Sequence, residues 1–124
     1  MILEDSTSLV DIHSHLVPGV DDGARHVPGV LDAVERMAVL GIRRMITTPH
    51  IDASLTLMPE RLEKRLDEVT KAWEKARDAI HTQFPEVEYR RGHEVLVDMP
   101  EPDLADPRIR LAGTSFVLLE GPRL

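Results

Sequence analysis

Between Pro59 and Phe84 the apolar residues Leu62, Leu66, Val69, Trp73, Ala76, Ile80 and Phe84 recur at steps of three and four. That is the period of a long helix that buries one stripe and wets the rest. Pro59 suits its first turn, and Glu60 with Lys64 and Asp67 with Lys71 place opposite charges one turn apart on the wet face. A shorter stripe of Leu31, Val34, Met37, Ala38 and Leu40 predicts a helix over Pro28 to Leu40, closed by Gly41. Around these helices lie four short runs rich in apolar and β-branched residues: Leu9 to Leu16, Arg43 to His50, Val87 to Leu96 and Phe116 to Glu120. The order βαβαββ leaves few architectures. Strands separated by a packed helix run parallel with right-handed crossovers, so the expectation is an α/β fold, either open and doubly wound or part of a barrel. The stripe, Trp73 included, is read as packing against that sheet, and FVLLE as a strand buried on both faces.

At 124 residues the chain is expected to be one domain, with no internal repeat. The Pro-dense stretch from Met99 to Pro107 reads as a connection. Fifteen basic against 22 acidic residues give a net charge of −7, which argues against a nucleic-acid partner. No apolar run has the length of a membrane span, and the start, with Glu4, Asp5 and Ser6, is unlike a signal peptide. The cytoplasm is the expected compartment. Cysteine is absent, which removes disulfides, thiolate metal sites and cysteine nucleophiles. Chemistry here has to use oxygen and nitrogen donors.

Those donors fall in a pattern. His13 and His15 close the first run, His50 closes the second, Glu94 lies near the end of the third, and Glu120 ends the fourth. In parallel α/β folds the functional face lies at the carboxyl ends of the strands, so five candidate metal ligands are aimed at one place. A two-residue step on a strand puts the imidazoles of His13 and His15 on the same side, in reach of one ion. An acidic end to a run as apolar as FVLLE is costly unless a cation meets it. Asp21 and Asp22 belong to an Asp-Asp-Gly turn, and spacing does not choose between them. His93 has the opposite strand parity to Glu94, His26 precedes the first helix, and His81 lies on the polar side of the second. These three are read as structural or solvated, and Arg25 and Arg123 as surface charges.

The stretch DIHSHLVPGVDDGA, then TTPH, GHE and LLE, resembles the bacterial PHP-family tyrosine-protein phosphatases of the capsule-regulating CpsB/CapC/YwqE type. The four motifs occur in the family's order and span the chain from about Val10 to its last residues. The resemblance implies a distorted TIM-like barrel around three divalent ions, usually manganese or a similar metal. Carried over, His13, His15 and Glu94 would bind one ion and carry the catalysis. Glu94 would bridge to a second ion that Glu120 also ligates, and Asp22 (or Asp21) with His50 would hold a third. The substrate it implies is phosphotyrosine on a protein, notably a bacterial tyrosine autokinase of capsule or exopolysaccharide synthesis.

The residue types fit that chemistry on their own. Imidazole and carboxylate suit manganese, iron, cobalt or zinc, and closely spaced metals can generate a hydroxide and stabilise charge on a phosphoryl group. Barrels of this kind take about 200 residues or more, so the chain is expected to be a truncated PHP-type domain, about half of a barrel. A second polypeptide, or further copies of this chain, would then cover its open edges. Two other readings stand beside the phosphatase: a PHP-type phosphoesterase acting on a small phosphorylated metabolite, and a truncated, non-catalytic binding module.

Overall fold

The computed structural model describes residues 9–122; Glu4, Asp5, Ser6 and Arg123 lie outside the described residues. Six short strands and two helices follow in the order β1 (Leu9–Asp11), α1 (Val27–Val39), β2 (Ile42–Thr47), β3 (His50–Asp52), α2 (Pro59–Gln83), β4 (Glu88–Arg91), β5 (Glu94–Leu96) and β6 (Leu118–Glu120). All strand pairings are parallel, as the alternation requires, but they form two three-stranded sheets, β1-β2-β4 and β3-β5-β6. Two of the expected strands are therefore each broken in two.

Both breaks have local causes. After β2, Pro49 has no N–H to give a ladder, and the chain restarts as β3 with His50 opposite Glu94. After β4, Gly92 passes so close to the backbone at Arg110 and Leu111 that an added Cβ would lie 3.0 Å from each. There the hydrogen bonds change partner: Gly92 N–H donates to Thr47 C=O, His93 N–H to Ile109 C=O, and Glu94 N–H to Pro49 C=O. The first strand is also shorter than its run, ending at Asp11, so His13 and His15 sit beyond it in irregular backbone.

The helices match their stripes to within a residue at each end. Val30 and Val34 of α1 and Ala76 and Ile80 of α2 pack with Met45, Val87 and Tyr89 beneath the first sheet. Trp73 joins this cluster, its ring stacked 6.0 Å from that of Tyr89 and flanked by the guanidinium groups of Arg77 and Arg91; it is packing, as the stripe implies. A second cluster of Ile51, Ala53, Leu66, Val95 and Ile109 lies beneath the other sheet. The Met99 to Pro107 stretch is a connection, and it contributes Leu104 to that second core. One expectation fails. The FVLLE run is not buried on both faces: only its last three residues form β6, an edge strand, and Phe116 and Leu119 are 71% and 56% exposed.

Candidate metal centre

The strand breaks decide where the polar residues meet. His50 and Glu94 do not close strands; they open β3 and β5, side by side in register, where the first sheet gives way to the second. The segment after β1 lies over the same junction, held there by the buried threonines at the end of β2. Thr48 N–H donates to Ser14 C=O at 2.7 Å, Thr47 Oγ1 donates to the same carbonyl, and Leu16 N–H donates to Thr47 Oγ1 at 2.8 Å. Tyr89 donates its hydroxyl to Leu16 C=O at 2.8 Å. The irregular backbone around His13 and His15 is thus tied at Ser14 and Leu16 to the sheet beneath it.

Glu94 is the hub. Its buried carboxylate places Oε2 3.0 Å from His13 Nε2, and Oε1 3.4 Å from His15 Nε2 and 3.1 Å from His50 Nδ1. Glu120, at the end of β6, comes within 3.8 Å of His50 Nδ1. The Asp-Asp-Gly turn completes the ring from the other side. Asp22 Oδ1 lies 3.3 Å from His50 Nε2, and Asp21 Oδ2 lies 3.1 Å from His15 Nδ1 while accepting the His50 backbone N–H. The turn is pressed against the His15 segment: a Cβ on Gly23 would fall 2.1 Å from His15 C=O, and Ala24 N–H donates to that carbonyl. The His15 and His50 rings stack 4.3 Å apart.

Every candidate ligand read from the sequence is therefore in one cluster, and Asp21 and Asp22 both reach it. Three overlapping donor sets emerge: His13, His15 and Glu94; His50, Glu94 and Glu120; and His15, Asp21, Asp22 and His50. Within each set the donor atoms lie within 4.8 Å of one another, and all are imidazole nitrogens or carboxylate oxygens, a combination suited to borderline and hard divalent ions. Burial works to raise the Asp21 carboxyl, yet the N–H groups of Gly23 and His50 and the His15 ring outweigh it and hold it below the usual carboxylate range. It is an anion ready to accept a cation.

The histidines set aside from the cluster stay outside it. His26 caps α1, its Nδ1 accepting the Gly29 N–H, and His81 is exposed in the last turn of α2. His93 is fully buried with its ring 3.0 Å from Arg108 C=O, and burial pushes its pKa down to about 4. Sequence reasoning missed the supports: Thr47, Thr48, Tyr89, Gly23 and Gly92. The visible signal was a pair of hydroxylated β-branched residues directly before Pro49, where a strand has to hand over its hydrogen bonds.

Tyrosine-protein phosphatase YwqE of Bacillus subtilis strain 168 is 29% identical over 115 residues, covering 92% of this chain and 43% of its own length. The crystal structures of YwqE from Bacillus subtilis and CpsB from Streptococcus pneumoniae, described as unique metal-dependent tyrosine phosphatases, include a chain with the same fold. It superposes with a TM-score of 0.69 at 23% identity, over 92% of this chain and 44% of that one. The chain thus spans less than half the length of these relatives. The family model for capsular polysaccharide synthesis, CpsB/CapC, matches residues 9–123, and the chain belongs to that family.

Proposed function

We propose that this chain carries the metal-binding part of a protein-tyrosine phosphatase, with His13, His15, Asp22, His50, Glu94 and Glu120 as ligands and Asp21 as a seventh donor. The observation that carries the reading is the Glu94 carboxylate, buried among three imidazoles in a cluster whose other acids are Asp21, Asp22 and Glu120. Such a concentration of acceptors and lone pairs calls for cations. His13 and His15 bind beside Glu94, Glu94 is shared with the His50 and Glu120 set, and the Asp-Asp-Gly turn closes the third. Bound divalent ions, manganese in the first place and iron, cobalt or zinc by donor chemistry, would supply an activated water and positive charge facing a phosphoryl group. The protein's own part is positional. The buried threonines fix the His13–His15 segment, Gly23 lets the acidic turn close on it, and Asp21 orients His15 and the His50 backbone together.

In this reading, supported by the tyrosine phosphatase relatives, the substrate is phosphotyrosine on a protein, the partner a tyrosine autokinase of capsule or exopolysaccharide synthesis, and the compartment the cytoplasm. In this reading the two sheets form about half of a distorted barrel, whose open edges are covered by further polypeptide or a second copy. The test is hydrolysis of a phosphotyrosine peptide by the chain, titrated with manganese, beside Glu94→Gln. Turnover that saturates with metal and falls by about a hundredfold or more in the variant is the expected result. A folded, metal-loaded chain with no turnover overturns the catalytic assignment.

A further inference from the structure

Between α1 and α2, beside the segment that follows the Asp-Asp-Gly turn, lies an open recess of about 520 Å³ whose walls include Arg25, His26, Val27, Lys71, Ala72 and Lys75. In a chain of net charge −7 this is an unusual gathering of cations. Only Lys71 has a close carboxylate, Asp67 at 3.0 Å. Among the described residues the other ion pairs of basic side chains belong to Arg36, Arg77 and Arg108, so Arg25 and Lys75 enter the recess unpaired. The recess also meets the first turn of α1, which carries no acidic side chain.

Its position relates it to the metal centre. Arg25 is three residues after Asp22, so their Cα atoms are no more than about 11 Å apart. The segment between is not slack: Gly19 N–H donates to Ala24 C=O, Ala24 N–H to His15 C=O, and Arg65 of α2 donates to Val20 C=O at 2.8 Å. One braced segment thus carries both the metal donors Asp21 and Asp22 and the recess's Arg25.

We propose that this recess is an anion subsite that takes a carboxylate or phosphate group of the peptide whose phosphotyrosine occupies the metal centre, three or four residues along an extended chain. The proposal rests on the phosphatase reading for the identity of that peptide, while the recess is testable without metal. The experiment is an NMR titration of the isotope-labelled chain in chelator at low salt. The probes are a tyrosine peptide flanked by glutamates, its glutamine-flanked analogue, and one with a second phosphotyrosine in place of the glutamates.

The expected result is saturable shifts at Arg25–Val27 and Lys71–Lys75 with the acidic peptides alone, weakened by added salt. Apparent affinity should drop by about fivefold or more in the double variant Arg25→Gln, Lys75→Gln, whose changes are on the surface. The stronger of the two acidic peptides identifies the group as carboxylate or phosphate. Equal shifts with the glutamine peptide, or unchanged affinity in the double variant, overturn the subsite. Metal-dependent turnover is the separate control. Recess binding without turnover removes the phosphatase reading and leaves the subsite standing, whereas turnover with the same KM for glutamate and glutamine peptides removes the subsite and leaves the phosphatase.

Discussion

Single residues at the centre have sharply different duties. Glu94 offers both carboxylate oxygens to three rings, so Glu94→Gln removes a charge without removing bulk. Manganese affinity measured by calorimetry is expected to fall about a hundredfold while the fold survives. Thr47 binds no ligand, yet its hydroxyl serves both Ser14 C=O and Leu16 N–H. Thr47→Val leaves that half-buried N–H unpaired, at a cost of about 1–2 kcal/mol in denaturant unfolding. Gly23 is a third kind: no side chain fits between the acidic turn and His15. Gly23→Ala should cost about 1–3 kcal/mol by forced displacement, and calorimetry should also show metal affinity falling, because the displaced turn carries Asp21 and Asp22.

At the scale of elements, the long helix and its neighbours were plain in the sequence and the strands were not. The α2 stripe repeats through seven apolar positions, a signal that no single residue can erase. The strands are three to six residues long, and where each stops depends on distant backbone. Pro49 announces a break, but the one at Gly92 is caused by Arg110 and Leu111, nearly twenty residues on. The cluster of ligands was legible because it required only that His50, Glu94 and Glu120 lie on neighbouring strands, which survived even though two of those residues open strands instead of closing them.

The connection from Leu96 to Leu118 illustrates the same dependence. It is clamped by Arg108, whose guanidinium spans Asp106 and Glu63 of α2. The hydrogen bonds from Arg108 hold the Asp106 carboxyl below the usual range. A carboxylate depressed on folding stabilises the native state above its unfolded pKa of about 3.9, and that contribution disappears as pH falls through the native value. Asp106→Asn is therefore expected to cost about 1 kcal/mol at pH 7 and progressively less as pH falls below about 4, read from urea midpoints across the range.

On the scale of the whole molecule, five of the exposed large apolar side chains lie at the sheet margins. Leu9, Val10 and Ile12 are exposed on and just beyond β1, and Phe116 and Leu119 on and just before β6. Strand edges with such side chains invite pairing. Sedimentation of this chain alone should show reversible self-association, and Leu119→Lys should shift it toward monomer. A strictly monomeric, folded wild-type species would remove the idea that copies cover these edges.

The split of the sheet has a further consequence, for cooperativity. Each half has its own apolar cluster, one under β1-β2-β4 and one under β3-β5-β6, while the seven donors come from loops and strand ends that straddle the seam. Ions bound there would behave as a rivet, tying the opening of one half to that of the other. In chelator, hydrogen exchange should report two unequal protection levels, the lower one marking the half that opens first. Saturating manganese should raise both toward a common value, because a ligand held by both halves is lost when either opens.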